Sequence, residues 1–168
     1  NTAKVDILLD ASKISNPTIN DELIVGTSGG TGILDYTFIS DPTQPEAKRG
    51  IKTQKFSLGQ GSNSIGQANI FGSGKTISEQ TMDNGELITG QLEVASGGGK
   101  GTLNLNGASI DLDNMTSNPN PGQPAFLLGS GANSIGEVNL LGGGKIGTSI
   151  SYTTYTTPTA TIGLNEGY

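Results

Sequence analysis

The sequence predicts an all-β protein, a right-handed parallel β-helix or short β-solenoid built from repeats of about 35 residues, with a β-sandwich or jelly roll as the alternative. Three observations carry this. Glycine supplies 27 of 168 residues, while aromatic residues make up 5% and charged residues 14%, a composition poor in helix formers and rich in residues that turn the chain. Residues 56–75, "FSLGQGSNSIGQANIFGSGK", and 126–145, "FLLGSGANSIGEVNLLGGGK", share twelve of twenty positions at an offset of 70. Short segments such as "GTLNLNG" and "GEVNLLG" alternate apolar and polar residues between glycine turns, the pattern of a half-buried strand.

The opening "AKVDILLDAS" sets Val5, Ile7 and Leu9 against Lys4, Asp6 and Leu8 and reads as a strand. Four units then follow in a single domain spanning 1–168, at about 23–40, 56–77, 91–112 and 126–147. Halfway between the two strong copies lies "VASGGGKGTLNLNGASIDL", where Gly101, Asn104, Leu105 and Gly107 fall under Gly66, Asn69, Ile70 and Gly72. The first unit, "LIVGTSGGTGILDYTFIS", is fainter and places Gly32 one residue out of register. Gly32, Gly66, Gly101 and Gly136 are thus 34, 35 and 35 residues apart. Two strands and their turns need roughly twenty residues, so the period implies one coil with a long excursion, or two coils. The proline-bearing connectors "SDPTQPEAKRG" and "NMTSNPNPGQP" suit excursions in solvent. "ISEQTMDNGEL" is the best helical segment, with Ser78 as a possible N-cap, but it contains Gly85 and has no apolar stripe. The final "TSISYTTYTTPTATIGL" reads as one or two strands interrupted by Pro158. Core candidates are Phe56, Leu58, Ile65, Ile70, Leu92, Leu103, Leu105, Phe126, Leu128, Ile135, Val138 and Leu140.

The charge balance narrows the function. A net charge of -6 with Arg49 as the one arginine removes the basic footprint of nucleic-acid binding. Without cysteine or histidine there is no disulfide framework, thiolate or imidazole metal site, or histidine base. No run of apolar residues is long enough to span a bilayer, so no membrane insertion is expected. The chain reads as a mature or excised fragment of an extracellular or bacterial cell-surface protein.

Stretches that look like chemistry fit turns better. "NIFGSGKT", residues 69–76, has Asn69 where a phosphate-binding loop needs glycine, and a poor helix follows. "GQGSNSIG" and "GSGANSIG" put Ser64 and Ser134 where a dinucleotide fingerprint needs its third glycine. The acids Asp21, Glu22, Asp35, Asp41, Glu46, Glu86, Glu93, Asp111 and Asp113 are scattered, and nothing singles out a pair for glycoside hydrolysis. No metal site is expected. Asp111, Asp113 and Asn114 come nearest, offering hard oxygens to calcium, but they read as a solvated turn protecting a strand edge. Tyr152 and Tyr155 would face opposite sides of a strand and form no simple sugar platform.

Units such as "VASGGGKGTLNLNGASIDL" and "LLGSGANSIGEVNLLGGGKI" resemble the passenger-associated repeats of bacterial autotransporters and related secreted adhesins, in which a glycine turn, "GTLNL" and another glycine recur. The resemblance implies a right-handed parallel β-helix displayed outside the cell and acting in adhesion or self-association. The proline-bearing connectors and the long period depart from that pattern. The expected function is a non-enzymatic adhesin or structural module acting through extended faces and inter-repeat loops, with no cofactor. Its partner would be a protein or glycan on another surface, or another copy of itself. A phage fibre, decoration or pilus-type subunit is the alternative, and a β-helix polysaccharide-degrading enzyme the third reading.

Overall fold

The computed structural model describes residues 1–10, 18–39, 50–72, 87–112, 125–142 and 144–147. These form eleven strands and no helix: β1 (Thr2–Asp10), β2 (Thr18–Thr27), β3 (Thr31–Ile39), β4 (Ile51–Gln60), β5 (Ile65–Phe71), β6 (Leu87–Ser96), β7 (Lys100–Asn106), β8 (Ser109–Asp111), β9 (Phe126–Ser130), β10 (Ile135–Leu141) and β11 (Lys145–Gly147). Every pairing among them is parallel. The first sheet runs β1-β3-β5-β7-β10; the second runs β11-β8-β6-β4-β2, with β9 also paired to β6. From β1 to β8, consecutive strands alternate between the sheets, so neighbours in a sheet come from successive repeats.

The offsets found in the sequence are the registers of the sheets. Gly32, Gly66, Gly101 and Gly136 stand side by side in the first sheet. Phe56 pairs with Leu92 and Leu92 with Phe126 in the second, so the matched phenylalanines occupy one column. The first unit is out of step because of its turn. Three residues separate Thr27 from Thr31 and Ser96 from Lys100, whereas four separate Gln60 from Ile65 and Ser130 from Ile135. The second and fourth units share the longer turn, which keeps their identity strict at 70 residues.

Two glycine columns make the corner between the sheets. Gly26, Gly59 and Gly129, with Ala95 at the equivalent position, all have positive φ, between 64° and 78°, which bends each strand of the second sheet toward the turn. Gly32, Gly66, Gly101 and Gly136 keep ordinary φ but lie against that bend. A Cβ on Gly66 would overlap the Val25 carbonyl oxygen and the Gly59 amide nitrogen. The turns bond across repeats as well, Ile65 N–H donating to the Gly30 carbonyl (3.0 Å), Lys100 N–H to Ser64 (2.8 Å) and Ile135 N–H to Gly99 (3.0 Å). Asn63 and Asn133 take left-handed conformations in these turns, a region asparagine tolerates.

Inward residues of both sheets form one core: Val25, Phe56, Leu58, Leu92 and Val94 from the second, Leu34, Tyr36, Ala68, Ile70, Leu103 and Leu105 from the first. Burying such columns is the main stabilising term, and no unit can bury its own face alone. Three core candidates are corrected. Ile65 and Ile135 are 46% and 59% exposed, because β5 buries the face bearing Gly66, Ala68 and Ile70 and its outward parity carries Ile65. Leu140 faces inward but is 51% exposed on the last strand of its sheet. Phe126, Leu128 and Val138 are partly buried against the core.

The third excursion differs from the others in position. Leu87 pairs with Ile110, only 23 residues later, close to the bare length expected of two strands and their turns. The start of β6 is covered by β8 and its end by β9, so residues between β8 and β9 depart from the middle of a strand position. The segments at 40–49, 73–86 and 113–124, with "ISEQTMDNGEL" and "NMTSNPNPGQP" among them, lie outside the described residues, as do Tyr152, Tyr155 and Pro158.

Candidate functional site: the outward face of the first sheet

Outward side chains of the first sheet form four columns. They are Thr31, Ile65, Lys100 and Ile135; Ile33, Gln67, Thr102 and Glu137; Asp35, Asn69, Asn104 and Asn139; and Thr37, Phe71, Asn106 and Leu141. The third column is a continuous amide ladder. Asn69 Nδ2 donates to Asp35 Oδ1 (2.6 Å), Asn104 Nδ2 to Asn69 Oδ1 (2.7 Å) and Asn139 Nδ2 to Asn104 Oδ1 (2.9 Å). Gln67 and Glu137 join it from the neighbouring column, through Gln67 Nε2 to Asn69 Oδ1 (3.1 Å) and Asn139 Nδ2 to Glu137 Oε1 (3.0 Å). Each amide is oriented by the next, so the ladder is arranged before any ligand arrives.

The ladder ends in charge. Lys4 Nζ lies 2.7 Å from Asp35 and 3.2 Å from Asp6. The Asn69 amide first, and then the Lys4 ammonium, hold the Asp35 carboxyl below its ordinary value by bonding to its ionised form. The same contacts with Asp35 and Asp6 raise the Lys4 ammonium.

Apolar residues flank the ladder at intervals. Ile65, Phe71, Ile135 and Leu141 are 46%, 42%, 59% and 53% exposed. They sit on β5 and β10, while β7 between them presents Lys100 and Asn106. The apolar spots therefore recur every second strand, about 9.6 Å apart at the usual strand spacing. Large side chains on an open face are unusual unless the face meets something.

The outward face of the second sheet is different. Lys55 Nζ bridges Glu22 Oε1 (3.1 Å) and Glu93 Oε2 (2.7 Å), and Ser57 Oγ and Gln60 Nε2 also donate to Glu22. Burial alone would lower the Lys55 ammonium, but Glu93 and then Glu22 outweigh it and raise the group. Ile88, Gln91 and Glu93 on the outward side of β6 are buried, so this face is closed along that strand. Two carboxylates sharing one ammonium leave no gap for a sugar between them. The cluster is a structural ion network.

The structure brings together few of the acids singled out in the sequence. Glu22 and Glu93 meet at Lys55, Asp35 joins the ladder, and Asp21 contributes only its carbonyl, which accepts from Thr53 Oγ1 (2.8 Å). Asp111 is fully buried, correcting its reading as part of a solvated turn: β8 is held between β6 and β11, with Asp111 beside Ile88 and Gly147. Asp113 and Asn114, like Asp41, Glu46 and Glu86, lie outside the described residues. Among the described residues no cluster of three or more acids could hold a metal ion. Of the near-match to a phosphate loop, residues 69–71 belong to β5 and 73–76 are outside the described residues. In the later copy, the Gly144 N–H closes a tight turn on the Leu141 carbonyl (2.9 Å), and Lys145 starts a strand where a phosphate loop needs a helix. No protein-family model, no curated protein and no solved structure matches this chain.

Proposed function

We propose that the chain is a non-catalytic adhesive or structural module outside the cell. In this reading its two sheets are the walls of a right-handed parallel β-helix, and the outward face of the first sheet is its binding surface. Parallel pairing throughout supports the β-helix, since a sandwich or jelly roll of duplicated hairpins is built from antiparallel pairs. The usual hand of parallel crossovers supports the right-handed form.

The observation that carries the function is the amide ladder flanked by apolar spots on every second strand. Regularly spaced amides present donors and acceptors to a hydroxylated polymer, and the apolar spots offer contact to the flat sides of its sugars. A net charge of -6 disfavours polyanionic chains, so the fitting ligand is an extended neutral polysaccharide lying along the stacking direction.

The test is retention on insoluble neutral β-glucan and chitin, followed by an array of immobilised neutral glycans. Wild type should bind at least one, and Ile65→Ser with Phe71→Ser should weaken that binding by about tenfold or more without unfolding the chain. Retention on none of these glycans, or undiminished binding by the double variant, would refute the reading. Release of unsaturated uronates from acidic polysaccharides would favour the enzymatic alternative.

A further inference from the structure

We propose that the two ends of the stack bind each other, so that copies of this chain associate head to tail. Four observations at the ends agree. First, the core columns run out into solvent at both. Leu34, Ala68 and Leu103 are 4% exposed or less, but Val5, in the same inward column, is 53% exposed on β1. Likewise Tyr36, Ile70 and Leu105 are at most 1% exposed, and Leu140 beyond them is 51% exposed on β10. Stacked repeats ordinarily need polar capping units at such ends.

Second, β1 and β10 each pair on one side only among the described residues, leaving backbone donors and acceptors available to another strand. Third, the half-built layers are complementary. At one end β1 belongs to the first sheet and precedes any described strand of the second; at the other β11 belongs to the second and follows the last described strand of the first. A copy whose β1 sits on β10 completes the layer that β11 begins.

Fourth, the side chains match in that register. Continuing the columns of the first sheet sets Ala3 beside Gly136, Val5 beside Val138 and Ile7 beside Leu140. Lys4 comes beside Glu137, a cation on one end facing a carboxylate on the other. Asp6 comes beside Asn139, the same pair of residue types that Asp35 and Asn69 make within the chain. Opposite charges in one column set the register and reject the reversed orientation. The contact uses different surfaces on the two partners, so it does not close and gives filaments rather than a dimer.

The experiment is sedimentation velocity of the 168-residue chain over a range of concentrations. Wild type should exceed the monomer mass of 17.1 kDa as concentration rises. Lys4→Glu and Glu137→Lys, each alone, place like charges across the contact and should weaken association by about tenfold or more. Mixed in equal amounts they should associate again, because each end then meets its opposite. That recovery separates the contact from folding, since a variant damaged in its own fold gains nothing from mixing. A wild type that stays at 17.1 kDa, covered for instance by another segment of its own polypeptide, would overturn the proposal. So would single variants that assemble like wild type, or a mixture that fails to recover.

Discussion

Gly66→Ala adds one methyl group at the corner where the sheets meet. Gly66 keeps an ordinary φ, so alanine meets no backbone strain there. The obstacle is space: the new Cβ would overlap the Val25 carbonyl oxygen and the Gly59 amide nitrogen and stand 2.8 Å from the Leu58 carbonyl carbon. Carbon atoms rest at about 3.5 Å or more, so the sheets would have to part by roughly 0.7 Å at that carbon, and further at the polar atoms. Every obstructing atom is backbone, and β5 is held on both sides by β3 and β7. Overpacking of this kind costs about 3 kcal/mol, offset by at most ~1 kcal/mol from the lower chain entropy of alanine, leaving a net loss of about 2 to 3 kcal/mol. Urea unfolding followed by far-UV circular dichroism, with a slope of ~2 kcal/mol per molar, should show the midpoint falling by about 1 to 1.5 M. Gly147→Ala is the control, since nothing lies within 4 Å of its Cβ position and its φ is ordinary. A Gly66→Ala chain within ~0.5 kcal/mol of wild type, or a Gly147→Ala chain equally weakened, would refute the close-approach argument.

Other perturbations follow from the same structure. Phe56→Ala, in the column interior and fully buried, should cost about 4 kcal/mol, and Phe126→Ala, partly exposed at the end of that column, clearly less; thermal melts of the two variants give the comparison. Lys55→Met leaves Glu22 and Glu93 facing each other without their cation and should cost about 3 kcal/mol at neutral pH, a loss that shrinks on acidification as the carboxylates protonate. In wild type the Lys55 ammonium is raised from 10.5. Its contribution is therefore complete below that pH and lost as pH climbs through the raised value, so alkaline unfolding should set in earlier for Lys55→Met. Asn104→Ala breaks the ladder on both sides and should cost about 1 kcal/mol on an open face, measurable as a small shift in urea midpoint.

Much of this architecture is legible in the sequence because parallel stacking turns distance along the chain into adjacency. The 70-residue offset and the glycine spacing are sheet registers, and Asn69, Asn104 and Asn139 fall in one column for the same reason. Parity was harder to read. In β5 the buried face carries Gly66, Ala68 and Ile70 while Ile65 and Phe71 point outward, so residue size misleads where a corner demands small inward residues. Asp35 and Lys4 went unnoticed as ends of the ladder because the shorter first turn shifts that unit by one residue. The Glu22, Lys55 and Glu93 network leaves no motif, since its members are 33 and 38 residues apart and meet only through a register that includes a bulge between Ile19 and Glu22.

The central claim is that successive repeats pair in parallel, in the register of the glycine columns, and the absence of native cysteine allows a direct test. Gln67 and Thr102 are register partners on the outward face, and neighbouring strands lie about 4.8 Å apart, within the Cα separation a disulfide spans. Gln67→Cys with Thr102→Cys should close an internal disulfide under mild oxidation, seen as loss of both free thiols in a monomeric chain. Gln67→Cys with Leu103→Cys places the thiols on opposite faces and should not. Crosslinking of the second pair but not the first would contradict the account.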